Sequence, residues 1–442
     1  MQFIGINDFL LLPIYLAIIY ALAYNSRNKK YSIRHPLRKY YIPALTVRLV
    51  GAAGLGLLYQ FYYGYGGDTG SYFYNSKLIT EYFTQDQGIF FDLIFKPVLA
   101  TLDIRNSIAW NDSVFGFSEA NYFPIRILAV LQLFTFGTYL PCALFFGFIA
   151  FSATWKAYLA FVNLFPALYK EFAIAVLFMP SVFFWGSGIL KDTISMAALC
   201  WLFYSSYSVF ILGQNKIKNL IIIFFTLFVI VIVKAYIAMA FVPGLMIWIF
   251  LTYKNRIRSQ ALKTVTLPFL LVLITFFSYF SYQRIAAQDA RFSADRIQTQ
   301  AVVVNTVISD AGSSINIGVT EGMGPAQLLR IAPIAIVTAI FRPFLFEVRN
   351  PLMLLSALEG TYIIYLFGLV IFKIGVAKSF RIAAGTPFVL FSLIFTLVFA
   401  FAVGFSTSNF GTLMRYKIPF VPFFMASLFI IIYIGKMKAS RK

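Results

Sequence analysis

Long runs of apolar residues, separated by short polar segments, dominate the pattern along this chain. A helix that crosses a membrane needs about 20 consecutive, mostly apolar residues. The recurring runs predict an all-α fold, a polytopic transmembrane helix bundle of about eleven spans. The predicted spans are residues 6–24, 42–63, 126–150, 172–185, 193–212, 220–233, 236–251, 265–282, 351–372, 387–405 and 418–435.

The composition supports a membrane location rather than a large soluble core. Of the 442 residues, 60% are hydrophobic and 12% are charged, and the mean hydropathy is +0.82. Soluble globular chains are about 45–50% apolar and about 25% charged. Because a soluble domain must still cover its surface with polar groups, the apolar excess is expected to face lipid.

The positions of the charges predict the orientation of the bundle. More than half of the 36 Lys and Arg residues lie in alternate connections, at residues 27–39, 156–170, 216–218, 254–263, 373–381 and 436–442. Lys and Arg are retained in cytoplasmic loops, so the amino terminus is predicted outside and the carboxyl terminus in the cytoplasm. This bias also explains the net charge of +20. No basic segment is long enough to form a nucleic-acid groove, so no nucleic acid is expected as a partner.

Two long connections fall on the extracytoplasmic side, at residues 64–125 and 283–350. Each contains an apolar run too short to span a membrane, at residues 89–100 and 331–346. Such runs are typical of interfacial helices or of re-entrant segments over a bundle. The whole chain, residues 1–442, is predicted to be one integral membrane domain.

Two groups of polar residues stand at predicted outer helix ends in the first half of the chain. Asp68 follows two glycines directly after the second span, where a sharp turn lets a substrate approach the backbone. Lys191 follows a segment from Pro180 that breaks the helix with proline and glycine. The alternatives are an ordinary glycine-rich turn for Asp68, and for the second segment a plain N-cap at Asp192 and an interface anchor at Trp185.

Three further candidates are ionisable residues within or beside predicted spans. Lys234 lies between two apolar runs and predicts a tight hairpin, and a lone cation there is costly unless it is paired or solvated. Arg342 and Glu347 lie among aromatic residues in a segment suited to gripping an anionic head group. Glu359 follows Pro351, at the start of a predicted span, by eight residues. At 1.5 Å per residue this places it about 12 Å into the membrane. A hydrogen-bonded structural role for Glu359 is the alternative.

The last group is a short outer loop before the final span. It contains Asn409, Arg415 and Lys417, with two cations against no acid. Together with the other outer cations, these residues favour a substrate that carries phosphate or pyrophosphate. The single histidine, His35, lies in a basic loop, and the two cysteines have no metal-ligand spacing. The sequence therefore predicts no metal site and no cofactor.

Three motifs give the chain a resemblance to a known class of proteins. These are Gly-Gly-Asp at 66–68, the segment from Pro180 to Asp192, and Asn-Phe-Gly-Thr-Leu-Met-Arg-Tyr-Lys at 409–417. The chain resembles bacterial repeat-unit polymerases of the O-antigen and capsule type, and related glycosyltransferase-C-like membrane enzymes. The resemblance implies a polyprenyl-linked sugar donor, transfer on the outer side of the bacterial cytoplasmic (inner) membrane, and partners from a polysaccharide assembly pathway.

The resemblance also implies roles for individual residues. Asp68 matches the acid that serves as base after an early span, although in glycosyltransferase-C enzymes it usually follows the first span and is often one of a pair. Glu359 is the second candidate base. Arg415 and Lys417 match basic positions expected to hold lipid phosphates, and Lys234 stands where an arginine is common. The other predicted binding residues are Lys191, Arg342, Glu347 and Asn409.

Two other classes of protein stay open at this point. A lipid-linked oligosaccharide transporter or flippase would need broken helices and polar groups deep in the bundle, and Glu359 is the one deep polar group of the candidate set. A non-catalytic scaffold subunit of an envelope assembly would use all these charges structurally. The placement of ionisable groups favours the enzyme.

Overall fold

A computed structural model of the chain describes residues 2–64, 66–107, 118–254, 279, 283, 325–407 and 409–439, and these residues form helices and no β-strand. The helices of the first part are α1 (Ile6–Lys30), α2 (Arg38–Leu57), α3 (Gly67–Gln85), α4 (Gln87–Phe95), α5 (Leu102–Ser107), α6 (Glu119–Phe134), α7 (Tyr139–Leu164), α8 (Tyr169–Ala173) and α9 (Pro180–Trp185). Those of the second part are α10 (Lys191–Ser206), α11 (Lys216–Tyr253), α12 (Pro325–Phe341), α13 (Pro351–Leu369), α14 (Val376–Gly385), α15 (Pro387–Ser406), α16 (Phe410–Tyr416) and α17 (Val421–Ala439).

Among the described residues, seven helices are long and apolar enough to cross a membrane, or eight if the bent pair α16 and α17 forms one span. Turns of π-helix extend α2, α10 and α13, so that these spans end at Tyr62, Leu212 and Ile374. The fold is therefore helical, with the long apolar helices of a multi-pass membrane protein. The larger predicted number of spans and the predicted orientation stay predictions, and the predicted span 265–282 falls almost entirely outside the described residues.

The predicted span 126–150 is wrong as a single helix. Helix α6 ends at Phe134 and α7 begins at Tyr139. Between them Phe136 and Gly137 adopt the left-handed conformation, with φ angles of 52° and 66°. Two consecutive residues in this region end a right-handed helix, so the apolar run is divided between two helices. Hydrophobicity alone did not reveal this break.

The predicted span 172–185 is also interrupted. The chain there passes from α8 through a π-helical turn at Ile174–Phe178 to an extended residue, Met179, and then to α9. Pro180 has no backbone N–H to continue the preceding helix, and it disfavours the helical conformation of Met179. The predicted span is shorter than the roughly 17–25 residues that a membrane-spanning helix needs, and the interruption explains its length.

The predicted turn at Lys234 is present within α11. Lys234 has a non-helical backbone with φ −152° and ψ 72°. A straight helix of 38 residues would be about 57 Å long. However, the Tyr253 hydroxyl at the end of α11 donates a hydrogen bond to the carbonyl of Phe210. Phe210 lies six residues before Lys216, the start of α11, and such a segment spans at most about 22 Å. The second half of α11 must therefore fold back along the first.

The described chain forms two compact units. Unit 1 comprises residues Met1–Lys156, Phe183–Cys200 and Ile232–Lys234. Close backbone approaches at glycine hold its helices together, because a Cβ on Gly51 would lie 2.6 Å from the Phe183 carbonyl oxygen and one on Gly188 would lie 2.4 Å from the Leu55 side chain. Small residues at such positions let membrane helices pack closely.

Unit 1 also contains the described part of the first long connection. Helix α3 packs against α6, where the side chain of Gln132 donates hydrogen bonds to the Phe73 carbonyl oxygen at 3.3 Å and to Ser76 Oγ at 2.8 Å. The apolar run 89–100 forms α4 and the start of a 3₁₀ turn at Val98–Thr101. Its position in the plane of the membrane interface stays a prediction.

Unit 2 comprises residues Ala157–Val182, Trp201–Val231 and Ala235–Lys442. Its core is a set of aromatic rings from several helices. Phe203 of α10 and Phe391 of α15 stack with their ring centroids 6.3 Å apart, and Phe423 of α17 meets both rings edge-on. Aromatic contacts of this kind add to the packing energy of a core. They pack α10, α15 and α17 together.

Candidate functional site

Six of the nine predicted site residues belong to one cluster in unit 2. We call it the outer-loop cluster, and it lies where the turn after α12, the first part of α13 and the bent pair α16–α17 come together. Its members are Arg342, Glu347, Glu359, Asn409, Arg415 and Lys417. The other three predicted residues, Asp68, Lys191 and Lys234, belong to unit 1.

The turn after α12 is organised by a charged pair. Arg342 donates hydrogen bonds to both carboxylate oxygens of Glu347, with Nε 2.9 Å from Oε1 and 3.1 Å from Oε2. The Phe344 backbone N–H also donates to Glu347 Oε2, at 2.8 Å. Burial raises the pKa of Glu347, but the hydrogen bonds from Arg342 and Phe344 and the Arg342 charge outweigh it and hold that pKa below its ordinary value.

This turn lies directly against α13 and α16. A Cβ on Gly360 would lie 2.5 Å from the Phe341 carbonyl oxygen, so the backbone turn passes over α13 at the residue next to Glu359. The Arg342 guanidinium carbon also lies 5.2 Å from the centre of the Phe410 ring, at the start of α16. Arg342 thus connects the turn with the helix that carries Arg415.

Helix α16 is short and capped. The Asn409 side chain accepts a hydrogen bond from the Thr412 backbone N–H at 2.8 Å, which satisfies one of the unpaired donors at the helix start. Arg415 is half-buried in the last turn, and Lys417 follows directly. The axis bends by 66° between α16 and α17. The predicted binding role of Asn409 thus competes with a capping role that the structure shows.

Glu359 and Lys417 meet inside unit 2 with no exposure of either side chain. Lys417 Nζ lies 3.4 Å from Glu359 Oε1. Ser181 donates two hydrogen bonds to the same carboxylate, from its backbone N–H to Oε2 at 2.8 Å and from Oγ to Oε1 at 2.8 Å. A buried pair of ions is stable only when further hydrogen bonds satisfy its oxygens. Glu359 is therefore well satisfied, and it is closed to a substrate in this conformation.

The outer-loop cluster has more cations than carboxylates. Its two carboxylates each lie beside a cation, Glu347 at Arg342 and Glu359 at Lys417, so that the charge of Arg415 leaves the six residues with a net positive charge. Arg415 is the partly exposed cation at the bend. A planar guanidinium suits two oxygens of one phosphate.

In unit 1, Lys234 forms a buried ion pair with Asp192. Lys234 Nζ lies 2.6 Å from Asp192 Oδ1, and the two side chains are 8% and 2% exposed. The residue before this acid, Lys191, donates a hydrogen bond to Asn121 Oδ1 at 2.6 Å. At the start of α10, Lys191 is therefore hydrogen-bonded to the Asn121 amide, and the carboxylate of Asp192 pairs with Lys234. The condition that Lys234 be paired is met.

Asp68 lies in the first turn of α3 and is half-buried. The next residue, Thr69, is fully buried and its hydroxyl shares a hydrogen bond of 2.6 Å with the Tyr139 hydroxyl. A Cβ on Gly67 would lie 2.4 Å from the Tyr59 ring, and Gly67 has a φ of 52°. A side chain at this position is therefore disfavoured both by space and by backbone conformation. The turn that presents Asp68 depends on this glycine.

Three residues outside the predicted set contribute to these sites. Asp192 and Ser181 supply the partners of Lys234 and Glu359, and the buried Arg48 of α2 donates to the Gly186 carbonyl oxygen at 2.9 Å. Asp192 could have been found, because it stands at the predicted outer end of a neighbouring span and Lys234 required a partner. Ser181 and Arg48 carried no such signal.

A scan against protein-family models and searches of curated proteins and of solved structures found no match to this chain. The resemblance to polysaccharide polymerases and its implied residue roles therefore stay predictions. Among the described residues, no group of three or more His, Cys, Asp or Glu side chains is placed to hold a metal ion.

Proposed function

We propose that this chain is a membrane glycosyltransferase, of the polysaccharide-polymerase type, that uses a polyprenyl-(pyro)phosphate-linked sugar on the outer side of the bacterial cytoplasmic membrane. The observation that carries the proposal is the outer-loop cluster. Arg415 stands in the last turn of α16, between the Arg342–Glu347 pair, which contacts Phe410 at the start of that helix, and the buried Glu359–Lys417 pair that follows it, beside apolar spans. A phosphate group attached to a lipid tail has the matching chemistry.

The cations would act on the leaving group. In the transfer, the acceptor hydroxyl attacks the anomeric carbon of the donor sugar, the bond from that carbon to the phosphate oxygen breaks, and the lipid phosphate leaves with the electron pair. Negative charge therefore grows on the phosphate, and a fixed cation stabilises it most in the transition state. We assign this role to Arg415. Arg342, which lies over Phe410 at the start of the same helix, would contact the same phosphate group.

A base must accept the proton of the attacking hydroxyl, and it must come within hydrogen-bond reach. Of the two predicted bases, Glu359 is fully buried and already accepts two hydrogen bonds from Ser181. We therefore assign Glu359 to positioning Lys417. The other predicted base, Asp68, belongs to unit 1 and is half-buried at the start of α3, and its role as base stays a prediction from the resemblance.

A lipid-linked oligosaccharide transporter is the second candidate. The helix break at Lys234 and the bend between α16 and α17 favour it, because transporters form their sites from discontinuous helices. A transporter needs the charges to bind its cargo but needs no base. The two functions therefore differ in the expected effect of Asp68→Asn, which keeps the shape of the side chain and removes its basicity. A scaffold subunit would tolerate both changes.

The experiment is an analysis of lipid-linked glycans in cells that carry each variant at matched protein levels. For the polymerase, Asp68→Asn should leave unpolymerised lipid-linked repeat units on the outer face of the membrane. For the transporter, Arg415→Ala should leave them on the inner face, and Asp68→Asn should have no effect. Gln85→Asn, an exposed change at the other end of α3, is the matched control and should behave as wild type. Normal polysaccharide from both Asp68→Asn and Arg415→Ala would reject both functions.

A further inference from the structure

A second cationic site lies in unit 1, at the end of α1 that is predicted to face the cytoplasm. The loop from α1 to α2 borders an open surface cavity of about 410 Å³. Five residues that can carry positive charge line it, and within the described part of the chain no acidic residue does. The five are Arg27, Arg34, His35, Arg38 and Lys39. None of them was part of the predicted substrate site.

The geometry of two arginines shows that the cavity is organised. Asn28 Oδ1 accepts hydrogen bonds from Arg27 Nη2 at 3.2 Å and from Arg38 Nη2 at 2.7 Å. Arg38 also donates to the Tyr31 carbonyl oxygen at 2.5 Å. One neutral oxygen thus holds two guanidinium groups side by side. Two guanidinium groups that share one hydrogen-bond acceptor repel each other, and an anion bound beside them would relieve this repulsion.

The residues around the cavity favour an anion that is part of a lipid. Helix α1 buries little of its surface, and it exposes apolar side chains along its length, among them Ile14, Ile18 and Leu22. At its end, Tyr24 is exposed and stacks against Arg27, with the guanidinium carbon 4.6 Å from the ring centre. An apolar surface that leads to a basic cavity matches a lipid, with its acyl chains along α1 and its phosphate among the arginines.

We propose that this cavity binds the headgroup of an anionic phospholipid, such as phosphatidylglycerol, in the leaflet that meets this end of α1. The site is independent of the proposed glycosyl transfer. General retention of Lys and Arg in cytoplasmic loops would place charges here too, but it requires neither a cavity nor two arginines held on one amide.

The test is calorimetric titration of the purified full-length protein in dodecyl maltoside with short-chain phosphatidylglycerol. The double variant Arg34→Gln/Lys39→Gln removes two exposed cations of the cavity. Each cation near a membrane surface contributes roughly a fivefold factor in affinity, so the double variant should bind roughly 25-fold more weakly. The matched control is Lys216→Gln/Lys218→Gln, which removes two exposed cations from another connection and should bind as wild type.

Two further titrations separate the sources of the phosphate. Short-chain phosphatidylcholine should bind far more weakly than phosphatidylglycerol, and glycerol 1-phosphate should neither bind nor compete at equal concentration. Equal weakening by both double variants would overturn the proposal in favour of a general charge effect. Equal binding of phosphatidylcholine, or competition by glycerol 1-phosphate, would overturn it in favour of nonspecific lipid binding or a soluble phosphate ligand.

Discussion

The buried pair of Glu359 and Lys417 allows a quantitative prediction. Glu359→Gln leaves the Lys417 ammonium fully buried, without the one carboxylate that the described residues place within ion-pair distance. Removing one partner of a buried ion pair costs about 3–5 kcal/mol, because the remaining charge is neither paired nor solvated. Lys417→Met should cost less, since Glu359 keeps both hydrogen bonds from Ser181.

The double variant Glu359→Gln/Lys417→Met removes both charges. A buried pair replaced by neutral groups of similar volume is often no less stable than the original. We therefore expect the double variant to lose less free energy of unfolding than Glu359→Gln alone. The measurement is unfolding of the purified protein in mixed micelles, with Lys373→Met as a control that removes an exposed cation near the end of the same span.

Additive losses would refute this account of the pair. If the double variant loses the sum of the two single losses, Glu359 and Lys417 do not interact, and the approach of the bent segment to α13 is not as described. A loss in Lys373→Met as large as that in Lys417→Met would show that the assay reports general charge rather than the buried contact.

Three other predictions follow from the geometry. Impermeant thiol reagents should label Gln85→Cys from outside the cell and should not label Ser32→Cys, because the two exposed positions lie on opposite predicted sides of the membrane. Labelling of both, or of Ser32→Cys alone, would contradict the predicted orientation. Asp192→Asn should destabilise the protein by about 3–5 kcal/mol, and Lys234→Met in the same chain should recover most of that loss, measured by the same unfolding assay; no recovery would exclude the pair. The pKa of Glu347 is held low in the folded protein, so its stabilising effect is present above the ordinary carboxyl range and is lost as the pH falls through the lowered pKa. Glu347→Gln should therefore lower the melting temperature by more at about pH 7 than at acidic pH, and an equal loss at every pH would contradict this.

The sequence was sufficient for the class of fold and for part of the local detail. Hydropathy indicated the long helices, and the basic connections on both sides of the run 220–251 predicted the turn at Lys234. The cost of a lone cation in an apolar run predicted that Lys234 needs a partner. The depth of Glu359 likewise marked it as unusual. These inferences succeed because burial of charge in an apolar environment is expensive wherever it occurs.

Other features depend on contacts that no local pattern contains. Hydropathy does not show the break in the apolar run 126–150, where Phe136 and Gly137 are left-handed; its local signals are Gly137 and Pro141, which a hydropathy average passes over. The contact of Ser181 with Glu359 joins residues 178 positions apart. Asn409 has a polar side chain suited to a ligand, and only the structure shows that it caps α16.

The claim that the chain transfers sugar from a lipid-linked donor is tested most directly with the purified protein in proteoliposomes, supplied with polyprenyl-pyrophosphate-linked repeat units from the source cells. We expect the wild-type protein to produce longer lipid-linked glycans and Arg415→Ala to extend them about 100-fold more slowly, the loss typical of removing one group that stabilises transition-state charge. Arg415→Lys should recover part of the rate, because it restores the charge without the planar two-pronged contact. No extension by wild-type protein that is folded and binds the donor, or equal extension by Arg415→Ala, would contradict the account.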